Sequence, residues 1–135
     1  MISTALARSL RDAGLRWKPQ SGDRFQIDRH EFDADIFTVS DLTIEAHEYP
    51  TGTELDFNGT TEWALDSVGV DDTLWLPRED QLRDLLRSAF RGLESIVDGY
   101  RVTIDIDGEA RVFESVSAPE AYGLALLAVL ERVSA

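Results

Sequence analysis

The chain has 135 residues, contains no cysteine and carries a formal net charge of −13 at pH 7. A chain of this length has the size of one ordinary domain, and it can bury enough apolar surface to fold without a metal ion or a disulfide. The lack of cysteine excludes disulfides, thiolate zinc sites and cysteine nucleophiles. We therefore predict a single α+β domain over residues 1–135.

The negative charge is concentrated in the middle of the chain. Between Phe25 and Pro77 there are thirteen acidic residues and one basic residue, Arg29. The same segment contains strand patterns and aromatic residues, so it is folded rather than a solvated tail. An acidic field repels phosphate backbones, so direct nucleic-acid binding is not expected. A basic protein partner is one interpretation of the charge, and solubility alone is the other.

The first predicted elements are a helix and four short strands. Ile2, Leu6 and Leu10 recur at four-residue spacing, which predicts a helix over 3–13 that ends at Gly14. Strand patterns follow with connections too short for parallel crossovers. The sequence therefore predicts an antiparallel four-strand meander over 25–27, 36–39, 42–49 and 54–57.

The second half of the chain contains helical patterns and a hairpin. Residues 68–72 are predicted to be a loop, and 60–67 is either a short helix or an edge strand. Asp107-Gly108 lies between alternating segments over 100–106 and 109–116, which is typical of a two-residue hairpin turn. A second helix is predicted to begin at Pro77, with an apolar stripe made of Leu82, Leu85, Leu86, Ala89, Phe90 and Leu93.

A third helix is predicted from the capping box Ser117-Ala118-Pro119-Glu120 to about Val133. This helix is apolar nearly all round, which is typical of a helix that is either central to a core or shared with a partner. A homodimer through this C-terminal helix is therefore one expectation. The element order predicts an α+β fold with three helices packed on an antiparallel sheet made of the meander and the C-terminal hairpin.

The common nucleotide and hydrolase motifs are missing from the sequence. There is no phosphate-binding loop, no dinucleotide fingerprint, no zinc-protease helix and no nucleophile elbow. No cofactor is expected. The first residues have no long apolar core, and the longest apolar run, 121–130, is shorter than the roughly 20 residues of a bilayer span. We expect no signal peptide, no membrane contact and a cytoplasmic location.

His47 is the better placed of the two histidines, His30 and His47, for chemistry. On a strand, Glu45 and His47 lie on the same face. A carboxylate beside an imidazole can tune its protonation, and the pair can occupy two positions of a metal site to which Asp56 or Asp66 would add a ligand. The ordinary interpretation is the polar face of a half-buried sheet. No metal site is assigned.

A turn-rich block follows the fourth predicted strand, with the sequence Asn58-Gly59-Thr60-Thr61-Glu62-Trp63. Its amides and hydroxyls are a candidate binding site for a small anion or a peptide carboxylate. The alternative is ordinary turn chemistry, in which Asn and Gly adopt left-handed backbone conformations.

Two segments of the chain carry a family resemblance: Phe57-Asn58-Gly59-Thr60-Thr61-Glu62-Trp63-Ala64-Leu65-Asp66-Ser67 and Leu74-Trp75-Leu76-Pro77-Arg78-Glu79-Asp80-Gln81-Leu82. They resemble a family of small actinobacterial proteins, some of which are labelled "pilus assembly", and the similarity runs from the first helix to residues 121–127. ATPases with that label have a phosphate loop, which this chain lacks. The resemblance implies an actinobacterial source and a cytoplasmic location, and it supplies no catalytic residues.

The sequence favours a non-enzymatic interaction or regulatory module with an acidic surface and an unidentified protein partner, for which a basic protein is one of the two interpretations of the charge. The alternative is a small metal-dependent or acid/base hydrolase that uses His47 with Glu45 and Asp66.

Overall fold

The computed structural model describes residues 1–29, 35–40, 44–57 and 67–134. The chain forms two compact units, Arg16–Leu76 and Met1–Leu15 with Pro77–Ala135. The single-domain prediction stays a prediction. The elements in chain order are α1 (Thr4–Asp12), β1 (Arg24–Ile27), β2 (Phe37–Thr38), β3 (Ile44–Tyr49), β4 (Gly52–Phe57), β5 (Ser67–Gly69), a 3-10 turn (Val70–Asp72), β6 (Thr73–Leu76), α2 (Glu79–Leu86), a 3-10 turn (Arg87–Ala89), β7 (Phe90–Ile96), β8 (Gly99–Ile106), β9 (Glu109–Ser115) and α3 (Ala118–Ser134).

The unit Arg16–Leu76 contains two antiparallel three-stranded sheets, with strand orders β2-β1-β6 and β3-β4-β5. The α+β class and the antiparallel pairing are confirmed, but the four-strand meander is wrong. β1 pairs with β2 and β3 pairs with β4, and each pair is completed by a strand from residues 67–76. The loop predicted over 68–72 is wrong at its start, because Val68 and Gly69 belong to β5 and pair with Leu55 and Glu54 of β4, whereas Val70–Asp72 forms the 3-10 turn outside the sheet.

Both sheets of this unit contribute to one hydrophobic core. Its buried side chains come from β1 to β5 and from Val39, and Trp17 packs against them: Phe25, Ile27, Phe37, Val39, Ile44, Leu55, Phe57 and Val68. Phe37 lies at ring distances of 5.4 Å from Phe25 and 5.7 Å from Phe57, so it joins the aromatic side chains of the two sheets. This core fixes which face of the β3–β4 hairpin is turned away from it.

The other unit contains α1, α2 and α3, which are the α-helices of the described residues, and the sheet β7-β8-β9. The predicted turn at Asp107-Gly108 is confirmed, and both residues have positive φ, 55° and 84°, as a type I′ turn requires. The extension of the second helix to Leu93 is wrong. The helix ends at Leu86, Arg87 adopts φ 52°, and Phe90–Ile96 pairs with β8 instead.

Helix α3 lies at the centre of this unit, where it packs against α1, α2, β8 and β9. Ala121, Tyr122, Ala125 and Leu126 are buried there. Neighbours on several sides account for an apolar character that extends nearly all round the helix. The homodimer through this helix stays a prediction.

Helix α1 begins and ends where the sequence predicts. Ser3 Oγ accepts a hydrogen bond from the Leu6 amide, and the amide and hydroxyl of Ser3 both donate to the Glu120 carboxylate, at 2.9 Å and 3.0 Å. At the other end Gly14 has φ 107°, and the Leu15 amide donates to the Leu10 carbonyl, as in a Schellman motif. Glu120 therefore ties the start of α3 to the start of α1.

Candidate functional site

The β3–β4 hairpin brings the charged residues of the middle segment together. Glu45 pairs with Asp56 and His47 pairs with Glu54 in the antiparallel register. Because side chains alternate along a strand, one face of the hairpin holds the five residues that we call the acidic face: Glu45, His47, Tyr49, Glu54 and Asp56. Ile44, Leu55 and Phe57 point the other way, into the core.

His47 lies between two carboxylates on this face. Its Nε2 atom is 3.1 Å from Glu45 Oε2 and 3.5 Å from Asp56 Oδ2. The side chains of His47, Glu45 and Asp56 are 45%, 38% and 27% exposed, so water screens these contacts. The arrangement joins β3 to β4 and leaves the ring accessible to solvent.

The negative charges of the acidic face affect the pKa of Tyr49. Its hydroxyl donates to Asp56 Oδ2 at 3.4 Å. The negative charge of Asp56, followed by desolvation and Glu54, raises the pKa of Tyr49, because a phenolate there would face carboxylates.

The carboxylates of the acidic face have no Lys or Arg counterpart among the described residues. No Lys or Arg occurs in the sequence between Arg29 and Arg78, and the contacts of Glu45 and Asp56 with a basic group are those with His47. The outer face of the sheet β7-β8-β9 shows the opposite arrangement. There Arg101 binds Glu94 and Glu114, each at 2.9 Å, and these hydrogen bonds raise the pKa of Arg101.

A shallow pocket of about 240 Å³ lies beside the acidic face, along β3. It is lined by one segment of the chain before β1, by Val39 and by three consecutive residues of β3: Pro19, Gln20, Ser21, Val39, Glu45, Ala46 and His47. Nothing in the sequence predicts this pocket, because its walls come from three separate segments of the chain and none of them forms a known motif.

The structure brings some of the predicted site residues together. Glu45 and His47 are in contact, as the strand alternation predicts, and Asp56 joins them from β4. Glu54 comes to the same face from β4 because it pairs with His47, and the hairpin register is what groups it with Glu45. Asp66 and the block Asn58, Gly59, Thr60, Thr61, Glu62 and Trp63 lie outside the described residues, so these predictions stay predictions.

Two further observations concern metals and membranes. Within the described ranges, no group of three or more His, Asp or Glu side chains is arranged to hold a metal ion. No helix in the same ranges combines the length and the apolar character that crossing a bilayer requires.

The fold and this face define an α+β protein with a carboxylate-rich hairpin. Comparisons with protein-family models, with curated proteins and with solved structures find no match to the chain.

Proposed function

We propose that this protein is a non-enzymatic interaction or regulatory module whose acidic face binds a basic protein partner. The observation that supports the proposal most strongly is the unbalanced charge of the face. Glu45, Glu54 and Asp56 converge on one hairpin, and the one basic group that Glu45 and Asp56 contact among the described residues is the imidazole of His47.

The electrostatics of the hairpin favour binding over stability as the role of these charges. Carboxylates on neighbouring strands repel one another and weaken the pairing that brings them together. A partner with Lys or Arg side chains would relieve this repulsion, and charge complementarity of this kind increases association rates and excludes acidic competitors. The paired carboxylates around Arg101 have no such unsatisfied charge.

Charge reversal on the acidic face, compared with charge reversal at two exposed residues of the other unit, tests the proposal. The wild type, the variant Glu45→Lys/Glu54→Lys and the variant Asp84→Lys/Glu109→Lys are used as bait in an actinobacterial lysate, and bound proteins are eluted along a salt gradient. Asp84 and Glu109 are exposed residues of the other unit, so the two variants have the same net charge.

We expect one or more basic proteins to bind the wild type and the Asp84/Glu109 variant and to be lost from the Glu45/Glu54 variant. Elution at moderate salt is expected, because exposed charge pairs are screened over about 10 Å at 0.1 M salt. Equal recovery by both variants, or no recovery by the wild type, would contradict the proposal.

A small metal-dependent or acid/base hydrolase is the second candidate, and the 3.1 Å contact between His47 and Glu45 favours it. A carboxylate in this position orients an imidazole for proton transfer, and Asp66 is the proposed third member. If a metal ion binds, a hundredfold excess over its dissociation constant adds about 2.7 kcal/mol to the free energy of unfolding. Thermal unfolding with Zn²⁺, Mn²⁺ or Mg²⁺ measures this, and a His47→Gln variant must abolish any stabilisation.

The resemblance to small actinobacterial proteins supports the further proposal of a cytoplasmic protein of actinobacterial source. Cell fractionation with an antibody against the protein tests the location, and recovery in the membrane or culture fluid would contradict it.

A homodimer through α3 is also proposed. Leu124, Leu127 and Leu130 remain partly exposed on this helix, and Val133 near its end is largely exposed. Light scattering over a concentration series tests the dimer, and a monomer mass at every concentration would contradict it.

A further inference from the structure

The pocket beside β3 has a composition that differs from that of the rest of the acidic face. Pro19, Val39 and Ala46 supply apolar atoms, whereas polar groups come from the other lining residues, Gln20, Ser21, Glu45 and His47. β3 is an edge strand of the sheet β3-β4-β5, and the pocket lies along it. A site with apolar walls and one carboxylate at its rim suits an alkyl chain that ends in a cation.

The walls of the pocket are held in place by buried hydrogen bonds. Asp23 is a buried residue, with 3% of its surface exposed. Its carboxylate accepts hydrogen bonds from the Trp17 indole and the Gln20 amide, both at 3.0 Å. Val39 exchanges backbone hydrogen bonds of 2.8 Å with Gly22 and Asp23. The segment that carries Gln20 and Ser21 is therefore fixed to Val39, and the pocket exists before any partner arrives.

Glu45 lies at the rim of the pocket, and one of its two carboxylate oxygens can still accept a hydrogen bond. Its Oε2 atom contacts His47 Nε2, and no hydrogen bond to Oε1 occurs within the described parts of the chain. Lys18 directly precedes Pro19 in the sequence, and it is not one of the residues that line the pocket. A carboxylate oxygen next to an apolar wall is the group that a guanidinium or ammonium would bind.

We propose that this pocket receives one arginine or lysine side chain of the protein partner. The alkyl stem lies against Pro19, Val39 and Ala46, and the cationic head binds Glu45. The inference rests on the proposed function for the existence of a basic partner, and it adds the point at which that partner is anchored. Arginine is among the residues enriched at the hot spots of protein interfaces.

A pair of pentapeptides tests the pocket without the partner. The ¹⁵N-labelled protein is titrated at millimolar concentrations with acetyl-Ala-Ala-Arg-Ala-Ala-amide and with the same peptide containing citrulline, which has the arginine shape without its charge. We expect saturable amide shifts at Gln20, Ser21, Ala46 and His47 with the arginine peptide and none with the citrulline peptide. Equal shifts with both peptides, shifts spread over Glu54 and Asp71 without saturation, or no shifts would overturn the proposal.

A steric variant supplies the matched control. Ser21→Trp fills the pocket and changes no charge, and Thr51→Trp places the same side chain on an exposed turn of the same unit away from the pocket lining. We expect Ser21→Trp to weaken arginine-peptide binding about tenfold or more, a change of about 1.4 kcal/mol, and Thr51→Trp to leave it unchanged. Unchanged binding to Ser21→Trp would overturn the proposal.

The same variants separate the pocket from the acidic face as a whole. If Ser21→Trp retains the lysate partner while Glu45→Lys/Glu54→Lys loses it, the proposal that the pocket anchors the partner is wrong and the proposed function stands. If all variants retain the partner, the proposed function is wrong as well.

Discussion

Tyr49 donates a hydrogen bond to Asp56 across the β3–β4 hairpin, with 3.4 Å between the two oxygens. The bond places an ionisable phenol on the acidic face, where Asp56 and then Glu54 disfavour the phenolate. The pKa of Tyr49 therefore depends on the negative charge that the proposed function requires, and it can be measured without knowing the partner.

We predict that Asp56→Asn lowers the pKa of Tyr49 toward its ordinary value near 10. The neutral amide removes the largest cause of the raised pKa. The raised pKa in the folded state means that the associated stability is present at neutral pH and is lost as the pH rises through the folded pKa. NMR titration of the Tyr49 ring measures the pKa. Glu109→Gln in the other unit is the control, and an Asp56→Asn value equal to the wild-type value would show that Asp56 does not act on Tyr49.

Local patterns in the sequence predict several elements of this fold correctly. Ser3 and Gly14 mark the ends of α1, Asp107-Gly108 marks the β8–β9 turn, and strand alternation places Glu45 and His47 on one face. Each of these features depends on residues a few positions apart, so one short window contains the relevant physics.

The errors concern contacts between distant residues. β1 pairs with β6, whose residues follow it by roughly fifty positions, and no local period encodes that pairing. The stripe from Leu82 to Leu93 fits a helix by spacing, but pairing with β8 prevails from Phe90 onward. The pocket beside β3 could not be predicted for the same reason, since Ser21, Val39 and Ala46 meet only after the sheets have formed.

Two glycines of the sheet β7-β8-β9 are predicted to differ sharply in their tolerance to alanine. A Cβ at Gly99 would overlap the Ser115 carbonyl oxygen and lie 3.1 Å from its carbon, whereas a Cβ at Gly92 meets nothing within 4 Å. Backbone atoms cannot rotate away as a side chain does. We expect Gly99→Ala to lower the free energy of unfolding by about 2 kcal/mol or more, and Gly92→Ala to change it little. Urea unfolding measures both, and equal stabilities would contradict the close approach.

Arg87 is predicted to be a site where glycine stabilises the protein. The residue caps α2 with φ 52° and ψ −129°, a conformation that costs a side-chain-bearing residue about 1–3 kcal/mol. Glycine relieves the strain and loses some of the gain to its greater freedom in the unfolded chain. We expect Arg87→Gly to raise the free energy of unfolding by about 1 kcal/mol, and Arg83→Gly inside α2 to lower it by about 1 kcal/mol. If Arg87→Gly and Arg83→Gly lower the free energy of unfolding by similar amounts, the proposed strain at Arg87 is contradicted.

The single-domain prediction has a direct spectroscopic test. Trp17 and Trp75 belong to the unit Arg16–Leu76, whose sequence range also includes Trp63, whereas the three α-helices of the described residues belong to the other unit. Tryptophan fluorescence and circular dichroism at the helix band therefore follow different units during heating. One domain predicts coincident transitions. Two midpoints separated beyond experimental error would show two domains.

The central claim is that the acidic face of the β3–β4 hairpin is the binding surface. Hydrogen–deuterium exchange on the complex recovered from the lysate tests it most directly, because it locates the contact in the unmodified protein. The account predicts slower exchange in the presence of the partner for Gln20–Ser21 and Ile44–Phe57, with no change for Phe90–Ser115. Protection confined to β7–β9, with the β3–β4 hairpin exchanging as in the free protein, would contradict it.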